Sequence, residues 1–183
     1  MSTGKLIVIA GPSGVGKGTI IKKLLADDAN LALSVSATTR PKREGEINGR
    51  EYYFLSKNDF LSRVKSGDFA EYAEYAGNYY GTLFSTIDEK LAEGKYLILE
   101  IEVKGAMQIR EKYPDAKLIF IMPPNLAELK NRLKNRNTED EETIKLRLAQ
   151  VDREIAQAKN FDIKIINDNL EIATLAVIEA IYS

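Results

Sequence analysis

The chain of 183 residues contains no cysteine and no histidine. The first absence excludes disulfide bonds and thiol catalysis, and the second excludes imidazole acid–base chemistry. Any catalysis must therefore use lysine, arginine, carboxylates, hydroxyl groups and backbone N–H groups.

Long apolar segments and a strong net charge are also missing. No apolar run approaches the roughly 20 residues that cross a bilayer, and the apolar stretch after Lys5 is too short for a signal peptide. The formal net charge of −1 gives no sign of a nucleic-acid or anionic-membrane partner. We therefore expect a cytoplasmic protein without nucleic-acid or membrane partners. A monomer and a small symmetric assembly both remain open.

The first strong pattern lies at residues 5–21. A short apolar run over 5–10 predicts a buried strand, a glycine-rich turn ends in Lys17, and the apolar spacing from Thr19 is helical. Strand, glycine loop, lysine and helix form the P-loop arrangement, in which backbone N–H groups surround phosphates and the lysine reaches the β- and γ-phosphates. The predicted ATP-binding residues here are Gly11, Pro12, Ser13, Gly14, Val15, Gly16, Lys17, Gly18 and Thr19.

The pattern departs from the usual P-loop at one position. Gly18 stands where a serine or threonine usually follows the lysine, and Thr19 comes one residue later. Magnesium held mainly by nucleotide phosphates and waters fits the ion's reluctance to lose its hydration shell. Direct ligation of the metal by Thr19 is therefore doubtful.

The remaining pattern predicts alternating strands and helices, and hence a mainly parallel sheet flanked by helices. Further core strands are predicted at 31–36, 96–101, 117–122 and 161–167, and further helices at 86–93, 103–112 and 170–182. A polar, basic loop is predicted over 37–46. The segment 125–159 is predicted to be helical, with a capping box at 138–141 that begins a second helix.

Residues 50–84 differ from their surroundings because they hold six of the nine tyrosines. Short strands are predicted at 51–55, 69–75 and 78–81, with a helix at 57–66 that begins after Ser56 and ends at Gly67. This segment is interpreted as a small antiparallel lobe inserted into the α/β core.

Cationic residues elsewhere in the chain indicate the kind of phosphoryl acceptor that would suit the P-loop. If a nucleoside monophosphate accepts the phosphoryl group, two unit charges about 4 Å apart repel by roughly 4 kcal/mol at an effective dielectric near 20. Arginines on both sides of the transfer would offset this repulsion, and no strong general base is needed because the accepting phosphate oxygen is already ionised. A basic surface loop and a solvated helix face are the alternative explanations. The candidates are Arg40, Arg43, Arg132, Arg136 and Arg147.

Ordered blocks over almost the whole chain resemble the guanylate kinase family. They are GPSGVGKGT (11–19), SVSATTRPKREGEINGREYYF (34–54), FAEYAEYAGNYYGT (69–82), LILEIEVKGA (97–106), IFIMPPN (119–125), RLKNR (132–136) and IIND (165–168). The resemblance implies a P-loop NTPase fold and transfer of the γ-phosphoryl group of ATP to GMP with Mg²⁺, and dGMP is a further expected acceptor. It also implies a core (1–34, 84–124 and 160–183), a GMP-binding β lobe (35–83) and a helical lid (125–159).

The resemblance also assigns residues by position. Catalytic roles fall to Lys17, Arg40, Arg132, Arg136 and Arg147. GMP binding falls to Ser36, Arg40, Arg43, Tyr52, Glu71, Tyr80, Thr82 and Glu100. Asn167 and Asp168 match the region that contacts the ATP nucleoside. Glu71 would accept the N1–H and N2–H₂ donors of guanine, whereas adenine would present an unpaired acceptor at N1.

Three departures and two alternatives remain. Glu102 stands where the family usually has aspartate, which leaves its reach toward metal-bound water or GMP open. Lys104 stands where glutamine is usual, and Asn137 stands where glycine is common. A non-catalytic guanylate-kinase-like module that binds phosphopeptides would typically lack Lys17 and the lid arginines. A kinase for another monophosphate, such as AMP, is disfavoured by Glu71 and Thr82.

Overall fold

The computed structural model describes residues 4–134 and 141–183, and the chain divides into two compact units. Unit 1 comprises Met1–Leu6 and Asn30–Ala116, and unit 2 comprises Ile7–Ala29 and Lys117–Ser183. The predicted division into core, GMP lobe and lid concerns functional parts rather than compact units, and it stays a prediction.

Strands and helices follow one another along the described chain. The strands are β1 (Lys5–Ala10), β2 (Leu31–Leu33), β3 (Ala37–Thr38), β4 (Tyr53–Phe54), β5 (Phe69–Tyr75), β6 (Asn78–Leu83), β7 (Tyr96–Glu100), β8 (Lys117–Met122) and β9 (Ile163–Ile166). The helices are α1 (Lys17–Asp27), α2 (Lys57–Ser66), α3 (Phe84–Ala92), α4 (Val103–Lys112), α5 (Leu126–Lys134), α6 (Glu141–Ala156), a 3₁₀ turn (Gln157–Asn160) and α7 (Leu170–Tyr182).

Unit 2 is built on parallel strands. Strand β8 pairs in parallel with β1, where Ile9 lies opposite Ile119, and with β9, where Ile121 lies opposite Ile165. Strands β1 and β8 are almost continuously apolar and buried, as expected for parallel strands covered on both faces. Helix α1 packs against α7. This arrangement carries the glycine-rich loop that leaves the end of β1.

Unit 1 contains a parallel pair and a separate small sheet. Strand β2 pairs in parallel with β7, and four strands follow the order β4-β3-β6-β5. The Phe60 ring of α2 stacks on Phe69 at 4.4 Å and on Tyr79 at 5.5 Å between ring centroids, which joins the helix to this sheet. Helix α4 lies along β5. The small sheet therefore has an aromatic core of its own.

Local signals predicted several elements correctly. Helix α2 begins after Ser56, whose hydroxyl accepts the N–H of Asp59, and ends at Gly67 with φ +74°. The predicted bounds of β8, α4 and α7 are those of the structure. The predicted capping box begins at residue 138, which lies outside the described residues.

Three expectations for the chain around residue 37 were wrong. The strand predicted over 31–36 ends at Leu33, and the predicted loop begins with the strand β3. The lobe is not wholly antiparallel, because β3 pairs in parallel with β4 and antiparallel with β6. Both neighbours of β3 are distant in sequence, so the local polarity of this segment could not indicate the pairing.

Among the residues that the structure describes, no helix combines the length and apolarity that crossing a bilayer requires.

Candidate functional site

The glycine-rich loop of unit 2 has a backbone that other residues could not easily adopt. Gly11 has φ +151°, and a Cβ there would lie 2.4 Å from the carbonyl oxygen of Ile121. Gly16 has φ +98° and would place a Cβ 2.6 Å from Nδ2 of Asn167. Both positions combine an unfavourable φ with a close neighbour, so the shape of the loop depends on glycine.

Lys17 begins α1 and reaches back over this loop. Its Nζ donates to the carbonyl oxygens of Gly11, at 2.6 Å, and Pro12, at 3.2 Å. The N-cap residue of α1 is Gly16, which has no side chain to accept a hydrogen bond from the N–H groups of the first turn, and that turn contains no acidic residue. Partial positive charge at this helix end and the lysine ammonium together favour a bound anion such as a phosphate.

Asn167 supports the loop from the segment after β9. Its side chain is buried, and Nδ2 donates to the carbonyl oxygen of Val15 at 2.8 Å. The sequence predicts Asn167 as an ATP-binding residue, and the contact in the structure is with the loop that would bind ATP. The adjacent Asp168 is exposed.

Unit 1 brings a group of the predicted phosphate-binding residues together. The Arg40 guanidinium lies 5.3 Å from the ring centroid of Tyr52, and the Tyr52 and Tyr80 rings are 6.0 Å apart. Glu46 accepts two hydrogen bonds from Arg40, at 2.7 and 3.1 Å. This interaction is the main cause that raises the pKa of Arg40 above its ordinary value. Arg40 is therefore a firmly held cation beside two tyrosine rings.

The other predicted residues near this group have different environments. Arg43 is exposed, and its backbone N–H donates to Glu46 at 2.8 Å. The carbonyl of Ser36 accepts the N–H of Tyr53 at 2.9 Å, which joins the chain before β3 to β4. Burial, followed by the influence of Tyr80, raises the pKa of Tyr52, and Glu100 also raises it, so Glu100 lies within electrostatic range.

Glu71 and Thr82 form a buried polar pair on neighbouring strands. The Thr82 hydroxyl donates to Oε1 of Glu71 at 2.7 Å, and the two residues are 0% and 4% exposed, Thr82 and Glu71 respectively. Where the structure describes the side chain, Glu71 is the only Asp, Glu, Lys or Arg residue that is buried. Such a carboxylate requires specific partners, because an unpaired buried charge is strongly unfavourable.

The environment of Glu71 also changes its proton affinity. Burial is the main cause that raises its pKa to about 7; hydrogen bonds from Thr82 and the charge of Lys112 oppose the rise, and Glu102 adds to it. A Cβ at Gly105 of α4 would lie 2.4 Å from Oε2 of Glu71, so the carboxyl group occupies space that only glycine leaves open.

The two groups of unit 1 face the same side of the small sheet. Tyr80 and Thr82 are two residues apart on β6 and therefore point to one face, about 7 Å apart along the strand. Thr82 lies opposite Glu71. One face of the small sheet therefore has a cationic and aromatic group at one end, around Tyr80, and the buried acid Glu71 further along. This arrangement suits a ligand with a phosphate at one end and hydrogen-bond donors at the other.

Comparison with known proteins gives a consistent result. A family model described as guanylate kinase matches residues 3–183. A guanylate kinase of Thermosynechococcus vestitus is 52% identical over 180 residues, or 98% of this chain and 94% of the relative. The chain belongs to the guanylate kinase family. The curated relatives support phosphoryl transfer from ATP to GMP, as the sequence predicts.

Further relatives within the guanylate kinase family agree with this membership. A guanylate kinase of Lactiplantibacillus plantarum is 50% identical over 171 residues, covering 93% of this chain and 83% of the relative. The crystal structure of a guanylate kinase from Anaplasma phagocytophilum has a TM-score of 0.79 and 31% identity, covering 99% of this chain and 86% of that one. The predicted α/β P-loop fold is thereby confirmed.

Three arginines predicted from the guanylate kinase resemblance stay predictions. Arg132 and Arg147 lie in the helices α5 and α6, for which the structure describes only the backbone at these positions, and Arg136 lies outside the described residues. The two helices pack through the buried side chains of Leu129 and Val151.

Sequence reasoning missed residues that support the predicted guanylate kinase site. Glu46 holds Arg40, Gly105 makes room for Glu71, and Lys112 contacts the strand that carries Glu71. Lys112 is 41 residues from Glu71 in the chain, so no spacing pattern could indicate the contact. The sequence shows that Glu46 is an acidic residue within the basic loop, but it does not indicate that Arg40 is its partner.

Proposed function

We propose that Glu71 and Thr82 bind guanine, that Arg40, Tyr52 and Tyr80 bind the GMP phosphate, and that the glycine-rich loop with Lys17 binds ATP. The observation that carries this proposal is the buried Glu71 carboxyl group beside Thr82. Guanine offers two neighbouring donors to such a carboxylate, whereas adenine offers an acceptor in place of one of them. A buried carboxylate facing that acceptor would remain unsatisfied, at a cost of about 1–3 kcal/mol.

The remaining predicted residues have roles consistent with this assignment. Arg43 is exposed in the same loop as Arg40 and would add charge toward the GMP phosphate, while Ser36 and Glu100 would border the nucleoside. Asn167 would act on ATP through the Val15 carbonyl that it binds. Arg132, Arg136 and Arg147 would stabilise the transferred phosphoryl group.

In this mechanism the bond between the γ-phosphorus and its bridging oxygen breaks, and a bond forms from that phosphorus to an oxygen of the GMP phosphate. The accepting oxygen is already ionised, so no side chain needs to remove a proton. Lys17 and Arg40 reduce the repulsion between the anions, and the tyrosines orient the acceptor. Positioning and fixed positive charge supply the catalysis.

A magnesium ion fits this site as a partner of ATP rather than as a resident metal. Among the described residues, no group of three acidic side chains could enclose a cation. Thr19 is exposed in the first turn of α1, where its hydroxyl could meet a metal-bound water, and the exposed Glu102 is the other residue able to act through water. The ion would neutralise charge on the phosphates.

A coupled assay of ADP release tests the proposed function with GMP, dGMP, AMP, UMP and CMP as acceptors. We expect turnover with GMP and dGMP and, for AMP, a kcat/KM lower by at least about 10⁴-fold. Comparable use of AMP would contradict guanine selection by Glu71. Binding of GMP without any ADP release would instead favour a non-catalytic binding module. The cytoplasm remains the expected location of this activity.

A further inference from the structure

Strand β5, which carries Glu71, is an edge strand of the small sheet, and a side chain of helix α4 forms hydrogen bonds with its backbone. Strand β5 is last in the order β4-β3-β6-β5. The Gln108 side chain accepts the N–H of Tyr72 at 3.2 Å and donates to the Tyr72 carbonyl at 2.8 Å. A side-chain amide thus takes the place of a neighbouring strand on one side of Glu71.

Lys112 makes the corresponding contact on the other side of Glu71. Its Nζ donates to the carbonyl oxygens of Ala70, at 2.7 Å, and Phe69, at 3.2 Å, and lies 5.2 Å from the centroid of the Phe84 ring. These contacts hold the ammonium group in one position, whereas the ammonium group of an exposed surface lysine is mobile.

The two carbonyls that Lys112 binds belong to an irregular part of β5. Phe69 lies opposite Leu83, but Glu71 lies opposite the very next residue, Thr82, so Ala70 is an extra residue in the pairing. Such a bulge turns the following side chain relative to a regular strand. The direction of the Glu71 carboxyl group therefore depends on the backbone that Lys112 holds.

Electrostatics give the same lysine a second effect on Glu71. The charge of Lys112 favours the carboxylate, and Glu102, which precedes α4, disfavours it. Lys112 and Glu102 are the charged groups with the largest influence on the pKa of Glu71 among the described residues, and the Thr82 hydroxyl donates a hydrogen bond to its carboxyl group. Since Glu71 is buried, water screens neither influence effectively.

We propose that Lys112 is a positioning residue for GMP binding, which holds the bulge before Glu71 and favours the ionised form of that carboxyl group, the form that accepts hydrogen bonds from guanine. The inference rests on the proposed role of Glu71. It assigns Lys112 no contact with either nucleotide.

The test compares Lys112→Met, which removes the charge but keeps most of the side chain, with Lys112→Arg, which retains the charge. Lys65→Met on the exposed surface of α2 is a matched control. The measurement is kcat/KM for GMP at saturating ATP between pH 5.5 and 8.5, because its acid limb reports ionisations of the free enzyme and of free GMP, and the contribution of GMP is the same for every variant.

We expect the acid limb of Lys112→Met to move to higher pH. If the pKa of Glu71 rises by one unit, from about 7 to about 8, kcat/KM falls about fivefold at pH 7 and about tenfold at pH 6, and it nearly recovers at pH 8.5. Lys112→Arg and Lys65→Met should keep the wild-type acid limb, and KM for ATP should not change. A defect in packing alone would lower activity at every pH.

Coincident acid limbs for Lys112→Met and wild type would overturn the inference. If Lys112→Met does not fold, a wild-type acid limb in Lys112→Gln, which is also uncharged, would overturn it equally. Glu71→Gln separates this outcome from failure of the proposed function. If Glu71→Gln alters GMP kinetics and Lys112→Met does not shift the profile, only the inference fails, whereas unchanged GMP kinetics in Glu71→Gln would remove the assumption on which it rests.

Discussion

Glu71 should destabilise the folded protein at neutral pH, and Glu71→Gln should remove this effect. Burial raises the pKa of Glu71 to about 7, against an ordinary value of 4.5. An acid whose pKa is higher in the folded state holds its proton more tightly there, so its effect on stability is most favourable below pH 4.5 and becomes unfavourable as pH rises toward 7. Each unit of pKa difference is worth 1.36 kcal/mol, so the rise from 4.5 to about 7 lowers the free energy of unfolding at pH 8 by about 3 kcal/mol.

Gln has nearly the shape of Glu, its amide oxygen can accept the Thr82 hydroxyl, and it carries no charge at any of these pH values. Urea unfolding at pH 5, 6, 7 and 8 should therefore give Glu71→Gln a higher free energy of unfolding than wild type at pH 8, by up to about 3 kcal/mol, and little advantage at pH 5. GMP binding should weaken in the same variant, since charged hydrogen bonds of about 1.5–3 kcal/mol are lost.

Glu74→Gln is the matched control for this experiment. Glu74 lies on the same strand and is exposed, so its replacement makes the same change in charge without a change in burial. Its free energy of unfolding should follow that of wild type at every pH. A stability difference for Glu71→Gln that does not vary with pH, or an equal variation in Glu74→Gln, would refute the reasoning.

Three further substitutions test other contacts. Lys17→Ala should lose nearly all turnover in the coupled ADP assay and still unfold cooperatively; wild-type turnover would exclude a role for Lys17 in catalysis. Glu46→Gln should raise KM for GMP severalfold and leave KM for ATP unchanged, because Arg40 loses the carboxylate that accepts two of its hydrogen bonds; equal increases in both constants would contradict this. Gly105→Ala should reduce the free energy of unfolding by about 1–3 kcal/mol and weaken GMP binding, since its Cβ would lie 2.4 Å from the Glu71 carboxylate; isothermal titration and urea unfolding measure both effects.

The sequence predicted those parts of the fold whose determinants are local. The start and end of α2 follow from a capping serine and a glycine that adopts a positive φ, and the apolar run of β8 shows a buried strand directly. Strand β3 has no such determinant. Its two residues are ordered by partners on β4 and β6, which only the folded chain brings beside them.

The candidate site divides in the same way. Lys17 was predictable because the lysine, the glycines and the helix are consecutive in the chain. Glu71 was not predictable from pattern alone, since a glutamate on an alternating strand is usually exposed, and only the resemblance to guanylate kinases indicated its role. Lys112 and Gly105 remained unrecognised because their importance lies in contacts with β5, more than thirty residues earlier.

The instability that we expect from Glu71 and the selectivity that we propose for it have one physical origin. An exposed carboxylate would cost the fold little, but water could then satisfy it whichever base was bound, and discrimination between guanine and adenine would be weak. Burial removes that water, so a base without the matching donors leaves the carboxylate unsatisfied. Burial also raises the pKa of Glu71 toward neutrality, which threatens the ionised form that guanine requires. A positive charge fixed beside the acid by backbone carbonyls, as Lys112 is, favours that form without contacting the base.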